Sequence, residues 1–241
     1  MVKPLSCRTP SLTESDALSS QAGYDRAAEL YDEWAWQQFW RKNEFPLVLQ
    51  QLLAARPSLG LIDLGVGTGA FLALLRDKLS TPLPLAGVDV SAAMLEKARD
   101  RLGERALLIQ GDVRCGLPFR DGTFDAAVMM RIANHISDLE GAMVEVARIL
   151  APRGILIATD IAAEHDYMST RVPTLEGTVA IETYKHSRAD WEIALRIASL
   201  SLRTYELYTF TDLLERPTDD FKRKFDTSGT TPIFQIIVAA R

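Results

Sequence analysis

One heptapeptide, Asp63-Leu64-Gly65-Val66-Gly67-Thr68-Gly69, limits what this chain can fold into more than any other segment does. It follows the apolar Leu61-Ile62 and precedes an amphipathic stretch, so a buried strand must turn straight into a helix. Glycines at such a turn let a backbone and a ligand approach closely. Gly65, Gly67 and Ala70 also satisfy the G-x-G-x-x-G/A fingerprint, so the motif alone does not choose between adenosine-containing cofactors.

The surrounding pattern is one of alternation. LIDL is followed by a helical stretch from about Thr68 to Leu79, then LAGVD, a helix from Ser91 to Leu102, ALLIQ, FDAAVMM, a helix from about Leu139 to Leu150, and GILIATDIA. Strand-helix-strand alternation implies an α/β chain with a parallel sheet. Residues 162–189 read as a substrate-facing insertion. After a helix around Asp190 to Ser199 come SLSLRTYELYTF and PIFQIIVAA with no crossover helix between them, which predicts an antiparallel pair at the sheet edge.

At 241 residues with 47% hydrophobic content, the chain suits one domain with a sizeable core. Residues 1–22 read as a flexible leader without the apolar segment of a secretion signal. Residues 23–241 read as a single domain, opening with a helical segment over 23–57 that Pro46 should end or kink. The balance of 27 basic against 32 acidic residues gives a net charge of -5, which argues against nucleic acid as a partner. No apolar run is long enough for a membrane span. Cys7 and Cys115 form no evident disulfide framework or metal cluster, which fits a cytoplasmic protein without a bound metal. Oligomeric state is not readable.

Three acids stand at strand ends. Asp89 lies where a carboxylate accepts hydrogen bonds from both hydroxyls of a ribose, and Asp112, in QGDV, is set to accept from an adenine amine. Asp63 precedes the first glycine, where a negative charge would meet a bound cation. S-adenosylmethionine (SAM) carries an ammonium and a sulfonium, whereas a dinucleotide brings a pyrophosphate that an added carboxylate repels. The acids therefore favour SAM.

In order and spacing DLGVGTGAF, GVDVSAAMLEKAR, QGDV, FDAAVMM and RILAPRGILI resemble the class I SAM-dependent methyltransferases over roughly residues 60 to 160. Pro152-Arg153-Gly154 departs from the family's usual Pro-Gly-Gly. YDRAAELYD, at residues 24–32, is similar to the lead-in of small-molecule members. The resemblance implies a Rossmann-like, mostly parallel seven-stranded sheet with helices on both faces, an antiparallel C-terminal strand and a helical lid. It further implies that Asp63, Gly65, Gly67 and Gly69 border the methionine part, Asp89 the ribose, Val90 and Met94 the adenine face, and Asp112 with Val113 the adenine edge. Tyr24, Tyr31 and Arg131 join the same cofactor set. SAM would leave as S-adenosyl-L-homocysteine.

A SAM enzyme mainly aligns its acceptor, excludes water and, for a hydroxyl acceptor, removes a proton. His135, after the fourth strand, and Asp160, ending the fifth, should meet at the carboxyl edge of the sheet; the resemblance implies a base and its neighbour. His186 could contact substrate, while His165 reads as solvent-exposed. In WAWQQFW, Trp36, Phe39 and Trp40 share a helical face, which either packs on the sheet or walls the acceptor site. The leading reading is methyl transfer to a small-molecule acceptor, with a hydroxyl favoured. A nicotinamide-dependent oxidoreductase, a non-catalytic SAM-binding protein and an RNA methyltransferase are the competing readings.

Overall fold

In the computed structural model, residues 17–79, 82–167, 169–215 and 230–241 are described. The chain runs α1 (Ser20–Ala27), α2 (Ala35–Ala55), β1 (Leu61–Leu64), α3 (Ala70–Lys78), β2 (Leu85–Asp89), α4 (Ala92–Leu102), β3 (Leu107–Gln110) and β4 (Phe124–Met130). It continues α5 (Leu139–Ile149), β5 (Leu150–Ile161), β6 (Thr170–Thr174), β7 (Gly177–Ile181), α6 (Arg188–Ile197), β8 (Ser201–Tyr208) and β9 (Phe234–Ala240). The main sheet has seven strands in the order β3-β2-β1-β4-β5-β9-β8. β1 to β5 pair in parallel, while β9 lies antiparallel between β5 and β8. This is the expected Rossmann-like sheet with its reversed last strand.

Every residue of β1 and β2 is buried. That pattern requires cover on both faces. On one face Met143 and Val146 of α5 and Trp191 and Leu195 of α6 pack against Leu64, Ala127 and Met129. On the other, Phe39, Trp40 and Val48 of α2, Phe71 and Leu75 of α3 and Leu95 of α4 cover Leu61, Val128 and Ile157. A third, smaller cluster joins Ala27 and Ala28 to Met94, Val172 and Ile181. It fastens α1 across the carboxyl edge of the sheet, between α4 and a β6–β7 hairpin.

Three expectations, on Pro46, on the start of the structured chain and on the cysteines, need correction. α2 runs unbroken through Pro46. A proline inside a helix costs about 3 kcal/mol, and the burial of Phe39, Trp40, Phe45, Val48 and Leu52 on both sides of it outweighs that cost. The ordered chain begins before residue 23, because Leu18 bridges to Ile181 and α1 starts at Ser20; residues 1–16 of the expected leader lie outside the described residues. The segment 162–189 contains the β6–β7 hairpin. Cys115 is disulfide-bonded, so cysteine usage no longer argues for a reducing compartment; spacing in sequence says nothing about proximity in the fold. The other cysteine, Cys7, lies outside the described residues. No described helix is long and apolar enough to cross a membrane.

Candidate functional site

The site forms where the strand order reverses, between β1 and β4, the position at which doubly wound sheets bind ligands. The glycine turn opens it. Gly65, Gly67 and Gly69 all have positive φ, at 81°, 53° and 75°. At Gly65 a Cβ would lie 2.1 Å from Ile132 Cγ2, so the loop after β4 is seated directly on the turn. At Gly69 a Cβ would meet Leu102 at 2.9 Å and Ala98 at 3.3 Å. Gly69 thus serves the packing of α3 on α4 and does not line the clefts described next, unlike Gly65 and Gly67.

Two adjoining clefts and one cavity meet here. The first cleft is lined by Gly65, Asp89, Val90, Asp112, Val113, Arg114 and His135. The second is lined by Tyr31, Gln37, Asp63, Gly65, Gly67, Thr68, Asp89, Met94 and Arg131. Asp89 stands in both, with Oδ2 accepting from Gly67 N at 2.8 Å and Oδ1 from Ser91 N at 2.9 Å. Burial pushes its carboxyl up to about 6 despite those backbone donors. Asp112 accepts from Arg114 N and from its guanidinium, at 2.6 to 3.0 Å. Met94 is parted from Val90. It is 1% exposed beneath the lid and borders the second cleft, because the N-terminal turn of α4 points it toward α1.

Asp63 is 1% exposed, and neither carboxylate oxygen has a hydrogen-bond partner. Burial, reinforced by the nearby charge of Asp89, raises it to about 8. Nε2 of the buried Gln37 is likewise unpartnered in the same cleft. Unmet polar groups at 1 to 3% exposure are costly. Asp63 and Gln37 therefore fit a ligand that brings both a cation and an acceptor, as an amino-acid group does, and Asp63 does not fit a pyrophosphate.

The cavity holds about 480 Å³ and is walled by Trp34, Trp36, Trp40, Tyr24, Tyr31, Tyr167, Ile161 and Ile233, with Arg131, Arg171, His165 and Asn134 as its main polar groups. Among the described residues, its lining includes no Asp or Glu. Trp36 stacks on Trp40 with ring centres 5.4 Å apart, and Arg131 lies 5.1 Å over the Trp40 ring. Trp40 packs in the core against the sheet and also lines the cavity. Arg131, at φ 55°, borders the cavity and the second cleft, and its Nε donates to Glu44 at 2.8 and 3.1 Å.

The three expected catalytic residues part company. His135 is 8% exposed and lines the first cleft, not the cavity. Its Nδ1 lies 2.8 Å from the carbonyl of Glu182 and its Nε2 2.9 Å from the Tyr24 hydroxyl. A carbonyl can only accept, so Nδ1 carries the proton and Nε2 accepts from Tyr24. Burial holds the imidazole down at about 4, so it is neutral. Asp160 makes no hydrogen bond to His135. It is fully buried, Oδ1 accepts from Ile161 N, Oδ2 is unpartnered, and burial raises its carboxyl well above the usual carboxylate range. It is not among the described residues that line the two clefts or the cavity. His186 Nε2 donates to the carbonyls of Ala133 and Ile136 at 3.0 and 2.8 Å. It braces the turn bearing His135 and does not face the cavity, because the helix starts at Arg188 and leaves it in the core.

YDRAAELYD now has a physical meaning. Tyr24 reaches His135; Asp25 accepts from Ser91 Oγ at 2.6 Å and Ala93 N at 3.2 Å, at the head of α4; Tyr31 lines the second cleft and the cavity; Asp32 binds Thr68 of the glycine turn at 2.7 Å. The residues that sequence reading missed are Gln37 and Glu44. They fall on one face of α2 with Trp40, and polar residues at that spacing within an apolar helix face were the available signal.

Residues 62–158 match the family described as methyltransferase domain. The chain is 34% identical over 136 residues to an uncharacterized 37.1 kDa protein in a transposon of Streptomyces fradiae, covering 56% of this chain and 39% of that one. It is 32% identical over 101 residues to a demethylmenaquinone methyltransferase of Tropheryma whipplei, covering 42% and 41%. The match thus spans about 40% of the length of these two relatives. Among solved structures, a [4+2]-cyclase, SpnF, superposes with a TM-score of 0.70 at 19% identity, covering 93% of this chain and 97% of that one. That likeness speaks to the fold.

Proposed function

This chain carries a class I SAM-dependent methyltransferase domain, and from that premise we propose that it moves a methyl group to a small planar acceptor bearing a hydroxyl, bound in the aromatic cavity. The observation that carries the reading is Asp63, a buried carboxylate with both oxygens unpartnered beside the glycine turn. It supports a cofactor with a cationic end. Bound SAM would supply a methyl group made electrophilic by its sulfonium. Asp63 and Gln37 would hold the amino-acid end, Asp89 the ribose, and Val90, Asp112 and Val113 the adenine.

The acceptor side follows from the cavity. Stacked tryptophans suit a flat apolar body, and two arginines with no acidic residue among the described lining suit a neutral or anionic group over an ammonium. A relative named as a demethylmenaquinone methyltransferase agrees with a small-molecule acceptor. A ring hydroxyl that loses its proton becomes nucleophilic at oxygen and at the adjacent ring carbon, so one site serves O- or C-methylation. His135 is the ultimate proton acceptor in this reading. Nucleic acid is not the substrate proposed, and the acidic net charge agrees.

Calorimetry of the purified chain with SAM, S-adenosylhomocysteine and NAD tests the cofactor, and methyl transfer to phenols, hydroquinones and amines tests the acceptor. SAM should bind and NAD should not. Binding of NAD alone would overturn the reading in favour of an oxidoreductase. SAM binding with no transfer to any acceptor would leave a non-catalytic SAM-binding protein, the alternative to which a cyclase of the same fold also directs attention.

A further inference from the structure

We infer that Tyr24 is the catalytic residue that touches the acceptor hydroxyl, and that His135 acts through it as the terminus of a two-step proton relay. This rests on the methyl-transfer reading above and names the group that serves it. Among the described residues lining the two clefts and the cavity, Tyr24 alone borders all three. It therefore stands where the cofactor's reactive end and the acceptor must meet. His135 does not reach the cavity, so any proton it receives from an acceptor passes through the Tyr24 hydroxyl.

The hydrogen-bond polarity sets the direction. Nδ1 of His135 donates to the Glu182 carbonyl at 2.8 Å, which leaves Nε2 as an acceptor for the Tyr24 O–H at 2.9 Å. With its proton committed to Nε2, the tyrosine oxygen offers lone pairs to a third group. Its side chain keeps part of its surface open to the cavities. An acceptor O–H can donate there. As the acceptor oxygen or ring carbon bonds to the incoming methyl, its proton passes to Tyr24 oxygen while the tyrosine proton passes to Nε2. The tyrosine ends neutral and the imidazole ends cationic, so the positive charge given up by the methyl donor reappears on His135. Nδ1–H stays on the Glu182 carbonyl throughout.

The groups facing this pair fit a neutral resting state. Tyr31 packs edge-on against Tyr24 with ring centres 5.7 Å apart. Burial, aided by Arg131 and Arg114, holds the imidazole down against the Glu182 carbonyl, and burial with Tyr31, Tyr167 and Asp89 raises the Tyr24 hydroxyl against the opposing pull of Arg131. A positively charged histidine is thus uphill before transfer and is relieved only as the donor's charge disappears.

The test uses the full chain with Tyr24→Phe, His135→Asn and the double variant. Each is assayed for SAM affinity by calorimetry and for single-turnover methyl transfer to phenol, catechol, 1,4-naphthohydroquinone and 4-nitrophenol. Histidine ¹⁵N NMR of the parent and Tyr24→Phe is recorded in parallel. The relay requires a loss of about 10²-fold or more in turnover for each single variant, a SAM affinity within about threefold of the parent, and a smaller loss on 4-nitrophenol, whose acidity lessens its need for a base. Residues acting as one unit are non-additive, so the double variant should be no slower than the slower single one. In the spectra, His135 should stay a neutral Nδ1–H tautomer from pH 6 to 8 with an Nε2 resonance that moves in Tyr24→Phe. Additive losses, equal losses on all phenols, or an unmoved Nε2 resonance overturn the relay while leaving methyl transfer intact. A parent chain that binds SAM and methylates none of the four overturns the acceptor reading itself, and the relay with it.

Discussion

Asp32, between α1 and α2, accepts a hydrogen bond from Thr68 Oγ1 in the glycine turn, 2.7 Å away, tying the N-terminal helical segment to the floor of the site. The same carboxylate pairs with Arg101 of α4 and Arg41 of α2, and Arg101 donates to Thr68 O at 2.5 Å and Oγ1 at 2.8 Å. Burial would raise Asp32, yet the hydrogen bonds from Arg101 and Thr68 prevail and hold it below the usual carboxylate range. A depressed acid stabilises above its unfolded pKa and loses that contribution as pH falls through its folded one. The clasp is therefore closed at neutral pH and released in acid.

The segment from Tyr24 to Trp40 stands over two clefts of only about 70 and 60 Å³, and it is expected to move aside for a nucleoside to enter. Asp32→Asn should make SAM both bind and leave faster, and should raise hydrogen exchange across residues 24–40 near neutral pH. Global stability should fall by no more than about 1 kcal/mol, since the pairs are roughly 30% exposed. Exchange and binding rates equal to the parent's would show that the lid is held by its apolar cluster alone.

Asp63 predicts a pH profile for binding. At about 8 it holds a proton at neutrality in the free protein, whereas a cationic ligand requires the carboxylate. SAM affinity should rise with pH up to about 8 and then level off, with up to one proton released on binding near pH 7, seen as calorimetric heats that depend on the buffer. The stability sign is opposite to that of Asp32. An acid whose folded pKa exceeds its unfolded value of about 4 favours the fold at low pH and loses that advantage as pH climbs from about 4 to 8. Asp63→Asn should bind SAM poorly, melt at a higher temperature than the parent at pH 8, and melt alike near pH 4. Melting curves that track the parent at both pH values would remove the buried-acid account.

The strand-helix alternation, the glycine turn and the positions of Asp63, Asp89 and Asp112 were legible because each is written in a contiguous stretch, with apolar strand, turn and acid in fixed succession. The packing of Gly69 on Leu102 and Ala98 and of Met94 on Val172 and Ile181 was not legible, because those neighbours come from elements that the local pattern does not pair with them. His135 and Asp160 do lie on adjacent strand ends as expected. What sequence does not carry is side-chain direction: a bond to Glu182, 47 positions away, and one to Tyr24, 111 positions away, turn the imidazole from Asp160 toward the lid. Tyr24 and Asp32 belonged to a recognisable motif, but their partners became visible only in the fold.

The last prediction concerns Glu44, which is fully buried in α2 and receives Arg131 Nε at 2.8 and 3.1 Å and Thr159 Oγ1 at 2.6 Å. The carboxylate is the only acid hydrogen-bonded to the Arg131 guanidinium among the described contacts, so Glu44→Gln leaves a cation buried without its counter-charge. Breaking one side of such a pair costs about 3–5 kcal/mol, whereas replacing all of its members by apolar groups of similar size is often neutral or stabilising. Glu44→Gln should accordingly lower the unfolding free energy by an amount of that order in urea titration. The triple change Glu44→Leu, Arg131→Met and Thr159→Val should recover most of it. Recovery of the fold should not bring back function, because Arg131 borders both the second cleft and the cavity: the triple variant should bind SAM and turn over acceptors more weakly than the parent. A Glu44→Gln protein as stable as the parent would mean that water reaches the pair, and a fully active triple variant would mean that Arg131 serves the core and not the site.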